Sequence, residues 1–335
     1  MKKVLALALV LVLALTAFVG CQKTPIENVG DQQTPAAKVA VRIGTIQGPT
    51  GIGMAHLKEE SDQGTTANAY TFTMSSVPQD VGTQLVSGNL DIAALPTNLA
   101  ASLYQKTSGK VQLLAVNTLG VLYMLENGNS VQSVEDLRGK TIYSTGQGAN
   151  PEYILRYVLQ QNGLNPDKDV KIEFLAENTE LVAKMVKGDI TLAMVPEPNV
   201  SSIQSQNASV RTAFSMNDEW DKVAGENNKL MMGCVAVRKE FLENNKAAVE
   251  AFLTEYKASI EKATADVEAT AALCEKHGII PKAALAKKAI PNCELTFVAG
   301  ADMKAQIAAY YQVLFNANPK SIGGKLPDNG FYYVG

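Results

Sequence analysis

The sequence is poor in the residues that carry most metal, nucleophile and nucleic-acid chemistry. It has two histidines, one tryptophan and four cysteines in 335 residues. Its charge is low and balanced, with 30 Lys and Arg against 33 Asp and Glu, for a formal net charge of -3. This balance excludes the basic surface by which proteins bind nucleic acid or anionic membranes.

Sequence motifs of common enzymes are also missing. There is no G-x-S-x-G, no H-E-x-x-H and no P-loop, and both GIGMAH and GQGANP lack the third glycine of a dinucleotide-binding turn. His56 lies one helical turn before Glu59 and Glu60, a spacing that suits either a metal ion or a solvated helix face. We choose the solvated face and predict no catalytic residue, no cofactor and no metal site.

The first 38 residues have the pattern of an export and anchoring segment. Two lysines precede an uncharged, apolar stretch, and Cys21 follows small residues. This arrangement resembles the lipobox of bacterial lipoproteins, in which the cysteine becomes lipidated after cleavage. We therefore predict a signal peptide over 1–20, lipidation at Cys21, and a flexible tether over 21–38.

Three cysteines then remain. Cys234 lies in the apolar run LMMGCVAV and is predicted to be a core residue. Cys274 and Cys293 could pair as a disulfide in an extracytoplasmic compartment or remain two buried thiols.

The full chain has 46% hydrophobic residues, and its globular part repeats its pattern after about 100 positions. LVSGNLDIAALPTNL at 85–99 resembles MVKGDITLAMVPEPN at 185–199, and predicted strands begin near 41 and 140, 70 and 170, 91 and 190, and 111 and 210. Alternating strands and helices indicate parallel α/β layers. We predict two lobes, one formed by 39–117 plus 231–335 and an inserted one formed by 118–230. A turn that leads into a helix is predicted over 48–60, and one long helix over 246–278.

Ligands of open parallel sheets bind where strands end and helices begin. Four such turns, two from each lobe, contain glycines that allow close backbone approach and helix N-termini that suit oxyanions or carbonyls. The predicted ligand-binding residues are Gly48, Pro49, Thr50, Gly51, Met54, Pro96, Thr97, Asn98, Thr145, Gly146, Gln147, Asn150, Glu197, Asn199 and Trp220.

Several of these residues have a second interpretation. Gly51 could simply shape a turn, and Thr97, Asn98 and Asn199 could simply be helix caps. Glu197 could cap a helix or bind a ligand amine, and Trp220 could be a lid or a core residue. No Lys or Arg lies in the four turns, so an anion would be held by backbone and hydroxyl donors, and a neutral or heteroaromatic ligand is equally compatible.

Taken in order, the lipobox, VRIGTIQGPTGIG, LVSGNLDIAALPTN, VKGDITLAMVPEP and VAVRKEFLENNKAAVEAFLTEY resemble substrate-binding lipoproteins of ABC transporters. The branch is the one for sulfonate, taurine, nitrate and thiamine-pyrimidine precursors. The resemblance implies the α/β type II periplasmic-binding fold, with two lobes that close on a small sulfonate-like, pyrimidine-like or related solute.

It also implies permease and ATPase partners, an extracytoplasmic location on a lipid anchor, and a monomer. Two alternatives stay open: an enzyme on the same fold, and a ligand-sensing lipoprotein without a transporter.

Overall fold

The computed structural model describes residues 37–225 and 228–335. The predicted signal peptide, Cys21 and the tether up to residue 36 lie outside the described residues. Residues from Lys38 to Gly335 form one compact unit. Within the described ranges, no helix has the length and apolar character needed to span a bilayer.

Eleven strands occur in the described residues. They are β1 (Ala40–Ile46), β2 (Ala69–Ser75), β3 (Ile92–Pro96), β4 (Val111–Thr118), β5 (Leu122–Asn127), β6 (Thr141–Ser144), β7 (Lys171–Phe174), β8 (Leu192–Pro196), β9 (Val210–Ser215), β10 (Gly233–Arg238) and β11 (Leu295–Ala299).

The α-helices of the same residues mostly follow strands. They are α1 (Pro49–Ile52), α2 (Ala55–Asp62), α3 (Pro78–Val86), α4 (Thr97–Lys106), α5 (Asn150–Gln161), α6 (Asn178–Lys187), α7 (Asn199–Gln206), α8 (Met216–Ala224), α9 (Lys239–Asn244), α10 (Lys246–Ala265), α11 (Val267–Lys276), α12 (Ala283–Ala289) and α13 (Gly300–Ala317).

The strands form two sheets that share one internal order. The first sheet is β11-β4-β10-β3-β1-β2, and the second, written in the matching direction, is β9-β5-β8-β6-β7. Strand β11 is the additional strand of the first sheet. In each, a central strand is parallel to two neighbours, β1 to β2 and β3, and β6 to β7 and β8. A returning strand is antiparallel to both strands beside it: β10 in the first sheet and β5 in the second. The predicted α/β fold with two lobes is confirmed.

The chain leaves the first sheet after β4, builds the second sheet with strands from 122 to 215, and returns at β10. The return strand is needed to join β3 to β4, because those two strands do not pair directly. The first sheet therefore includes a strand that follows all strands of the second sheet in the sequence.

Buried apolar residues hold the sheets and helices together. One hydrophobic cluster contains Leu113 of the first sheet, Met124 of the second, and Tyr310 and Tyr311 of α13. Helix α13 packs against α5 as well as β4 and β11. A continuous core thus connects elements of both sheets, and it fixes the position of the turns between them.

The turn predicted at the start of 48–60 contains the short helix α1, and helix α2 follows it. Gly53 lies between them, where a Cβ would lie 2.8 Å from Ile260 Cγ1. The helix predicted over 246–278 ends at Ala265, and Asp266 caps the new helix α11 by accepting from Ala269 N. Strand β11, which is partly exposed at the end of its sheet, was not predicted.

Candidate functional site

The candidate site lies where six strands end and helices begin. The predicted turns are those after β1, β3, β6 and β8, which lead into α1, α4, α5 and α7. The structure adds two equivalent turns, β2 to α3 and β7 to α6. Sequence reasoning did not select these two, although Pro78 and Asn178 at their helix starts gave the same signal.

The turns of the two lobes face each other at close range. A Cβ on Gly48 would lie 3.7 Å from Pro198 Cδ. Asn150 donates from Nδ2 to Thr97 Oγ1 at 3.5 Å and to the Met232 carbonyl at 3.4 Å. These contacts join turns of the first lobe to turns of the second.

In the part of the chain that the structure describes, five helix N-termini at these turns have an N-cap residue whose side chain does not cap the helix. The N-cap residues of α1, α3, α4, α5 and α6 make no capping hydrogen bond with their side chains: Gly48, Val77, Pro96, Ala149 and Glu177. Among the other helices of the described residues, Ser215 caps α8 and Asp266 caps α11. The N-cap residues of α2, α9, α10, α12 and α13 make no such bond. The first N–H groups of an uncapped helix need partners, and the helix dipole adds partial positive charge there. The cleft is therefore lined by groups that favour a polar or anionic ligand.

Glu197 occupies the sixth helix start, that of α7. Its carboxylate is buried and accepts from Ser201 N at 3.1 Å, Ser201 Oγ at 2.9 Å and Asn292 Nδ2 at 3.2 Å. Burial raises the pKa of Glu197, against the lowering effect of these donors. This geometry is that of a helix cap with a bond to the α12–β11 connection. A ligand-binding role for Glu197 stays a prediction.

Thr97 is held firmly by the first lobe. Its hydroxyl donates to the Met231 carbonyl at 2.7 Å and its N–H donates to the Met232 carbonyl at 3.0 Å. The Tyr311 hydroxyl donates to the Thr97 carbonyl at 3.0 Å. These bonds fix the turn against which Asn150 closes.

Asn150 is the one predicted residue with an unused buried atom. It is 3% exposed, and its Oδ1 has no hydrogen-bond partner among the described residues. A buried acceptor without a donor is costly. A ligand that donates a hydrogen bond would remove that cost.

The remaining turn residues have various positions. Thr145 is buried and its hydroxyl donates to Asn178 Oδ1 at 2.8 Å. Thr50 is also buried, and its carbonyl accepts from Asn117 Nδ2 at 3.4 Å. Half-buried on the turns themselves are Pro49, Pro96, Asn98, Gly146 and Asn199, and Gln147 is exposed.

Three predicted ligand residues lie in the packed interior instead. Met54 is 1% exposed in the cluster beneath the first sheet. Gly51 is a packing glycine, because a Cβ there would lie 2.4 Å from the Ile46 carbonyl oxygen. Trp220 is completely buried between Tyr157 and Tyr310, and its Nε1 donates to the Asn228 carbonyl. The core interpretation therefore fits Trp220, and the lid interpretation does not.

The three cysteines of the described residues are free and buried. Cys234 donates to the Leu95 carbonyl within the first sheet at 3.3 Å, and burial raises its thiol pKa well above the ordinary value. Cys274 and Cys293 share one hydrophobic cluster. Their pairing as a disulfide stays a prediction.

The model of the family described as "ABC transporter, phosphonate, periplasmic substrate-binding protein" matches residues 54–282. No curated protein matches the chain significantly.

Solved structures of similar fold include an ABC transporter protein from Parabacteroides distasonis, at 23% identity and a TM-score of 0.74, covering 88% of this chain and 99% of that one. The periplasmic aliphatic sulphonate binding protein of Escherichia coli aligns at 17% identity and a TM-score of 0.68, covering 87% and 95%. A periplasmic nitrate-binding protein from Synechocystis aligns at 13% identity and a TM-score of 0.54, covering 79% and 74%.

The family match spans most of the chain, and these structures share its type II periplasmic-binding-like fold. The chain belongs to the periplasmic substrate-binding protein family of ABC transporters.

Proposed function

We propose that this protein is an extracytoplasmic solute receptor, anchored by a lipid on Cys21, which captures a small organic oxyanion and delivers it to an ABC permease and its ATPase. The observation that carries the proposal is the set of uncapped helix starts around a cleft whose turns contain no Lys or Arg. Backbone N–H groups at helix N-termini bind phosphate, sulfate and carboxylate groups without any side-chain cation.

The names of the related proteins point to the same ligand chemistry. The family is named for phosphonate, and two structural neighbours for sulphonate and nitrate. All three ligands are oxyanions with several equivalent oxygens. The uncapped helix starts can donate to several such oxygens at once.

The unused Asn150 Oδ1 favours a phosphonate over a sulfonate. A phosphonate monoanion keeps one P–OH that can donate to this buried acceptor, whereas a sulfonate carries no proton at neutral pH. Leaving a buried acceptor unpaired costs about 1–3 kcal/mol. We therefore expect roughly tenfold tighter binding, or more, for a phosphonate than for the sulfonate with the same alkyl group.

Calorimetry with matched alkyl phosphonates and sulfonates tests this proposal. In the Asn150→Ala variant the preference for phosphonate should disappear, whereas Asn199→Ala, at the same first position of helix α7, should keep it. A preference unchanged in Asn150→Ala would refute the role of Asn150. Pyrimidines, nitrate and aromatic acids belong in the same panel of ligands. If no ligand of the panel binds, the receptor function is refuted.

Lobe closure and lipidation have their own measurements. We propose that one lobe consists of residues 39–117 and 231–335 and the other of residues 118–230. If these lobes close on the ligand, small-angle scattering should show a smaller radius of gyration with ligand than without it. Mass spectrometry of membrane-extracted protein should find a diacylglyceryl adduct on Cys21, and a Cys21→Ala variant should be released from the membrane. Size-exclusion chromatography should show a monomer.

A further inference from the structure

Three metal-ligating side chains meet on the first lobe, outside the cleft turns. Glu59 and Asp62 lie one turn apart on α2, and His277 follows α11, which packs against α2. One ligand atom from each of the three lies within 4.8 Å of the others. We propose that Glu59, Asp62 and His277 form a binding site for Zn²⁺ or a similar divalent transition-metal ion.

The donor set and its spacing suit zinc. Imidazole nitrogen and carboxylate oxygen are ordinary zinc ligands, with bonds of about 2.0–2.2 Å, so two ligands of a tetrahedral ion lie about 3.3 Å apart. His277 Nε2 is 3.1 Å from Glu59 Oε2. Asp62 has a half-exposed side chain and can complete the set by a small movement. The fourth position would be open to water, as in exchangeable zinc sites.

The imidazole is placed by the fold. The side chain of His277 is only 4% exposed, and it lies against Glu59, whose side chain is 20% exposed. A buried imidazole and a mostly buried carboxylate lose little side-chain freedom on binding a metal, because packing already restricts them. This pre-positioning distinguishes the site from a group of mobile surface acids.

Lysine ammonium groups now neutralise the two carboxylates. Lys276 Nζ lies 2.6 Å from Glu59 Oε2, and Lys58 Nζ lies 3.1 Å from Asp62 Oδ2. The Lys276 side chain is mostly exposed, and ion pairs of exposed groups contribute little to stability. The Lys276 ammonium group can therefore move into solvent when a divalent ion takes its place at Glu59. The Lys58 side chain is 26% exposed, and its ammonium group has to turn away from Asp62.

The other histidine supplies a matched control. The sequence spacing groups His56 with Glu59, but in the structure His56 Nε2 lies 2.8 Å from Thr270 Oγ1 on α11. His56 is thus committed to a hydroxyl and is not in the cluster. Because the chain has two histidines in all, each imidazole can be followed separately.

Titration of the metal-free protein with zinc chloride, in a buffer that does not bind zinc, tests the proposal. Calorimetry should show one ion per chain, and the melting temperature should rise with zinc because the ion joins α2 to α11. His277→Asn and Glu59→Gln should each weaken binding at least tenfold, while His56→Asn should change it less than twofold. Melting curves in a chelator establish that each variant is folded.

Nuclear magnetic resonance of the wild-type protein tests the metal site without any variant, so its result does not depend on whether a variant folds. Zinc should shift the imidazole signals of His277 and leave those of His56 in place. Shifts at His56 alone, equal binding by all variants, or no saturable binding would overturn the proposal.

Discussion

Replacement of Glu197 by alanine separates a helix cap from a ligand contact. In the structure, the carboxylate caps α7 through Ser201 N and Ser201 Oγ and also accepts from Asn292 Nδ2. If these bonds are its function, Glu197→Ala should lower the stability of the protein and leave ligand affinity within about threefold.

The magnitude follows from the bonds that are lost. Removal of a helix cap costs about 1 kcal/mol, and a buried donor without a partner costs about 1–3 kcal/mol. Relief of the burial of the Glu197 carboxylate offsets part of this sum, so we expect a net loss of about 2 kcal/mol. With an unfolding entropy of about 2.1 cal/mol/K per residue over roughly 300 residues, this loss lowers the melting temperature by about 3 °C.

The assay is calorimetric melting together with ligand titration, and Glu177→Ala is the control. Glu177 stands at the start of α6, is exposed, and makes no side-chain cap, so its replacement should change stability by less than about 0.5 kcal/mol. An unchanged melting temperature for Glu197→Ala, combined with a tenfold loss of affinity, would show that Glu197 contacts the ligand and that the capping argument is wrong.

Three further predictions concern the same fold. Burial raises the pKa of Glu197 above its unfolded value of about 4.3, so the folded state binds the Glu197 proton more tightly than the unfolded state does. The stability that this proton binding adds, apart from the hydrogen bonds of the side chain, is full below the unfolded pKa and is lost as pH rises through the folded pKa; denaturation across pH should show this loss in the wild type and not in Glu197→Gln. Gly51→Ala should cost about 1–3 kcal/mol by urea denaturation, because the new Cβ would lie 2.4 Å from the Ile46 carbonyl oxygen, and an unchanged midpoint would contradict the packing argument. Asp91→Asn should lower the free energy of unfolding by about 2–4 kcal/mol, because the buried Asp91 carboxylate accepts hydrogen bonds from Arg42 Nε at 2.9 Å and from the Arg42 backbone N at 3.0 Å. A melting temperature like that of the wild type would refute this prediction.

The alternation of strands and helices could be predicted because it depends on local patterns. The repeats at 85–99 and 185–199 became α3 with β3 and α6 with β8, each followed by a turn at the cleft. The break at Asp266, between α10 and α11, was not predicted. The close approach of the distant Ile260 side chain to Gly53 was likewise not visible in the local pattern.

Roles within the site were harder to predict than its location. From the sequence, Trp220, Met54 and Gly51 were predicted to bind ligand, and in the structure they lie in the packed interior. Tryptophan, methionine and glycine occur both in hydrophobic cores and in ligand-binding sites, so residue type alone does not separate the two roles. Whether a side chain is in the core depends on elements far away along the chain. Trp220 is buried because α13, nearly 100 residues later, supplies Tyr310 beside it.

The sequence by itself determined the two α/β lobes, the turns that face the cleft and the absence of cations in them, because hydrophobic period, glycine and proline positions and charge are local properties. Only the tertiary structure decided that Glu197 caps a helix, that the buried Asn150 Oδ1 has no partner among the residues described, and that His277 rather than His56 joins Glu59. These facts depend on distances between segments that are far apart in the chain. The packing of the whole fold sets those distances, and no local sequence pattern contains them.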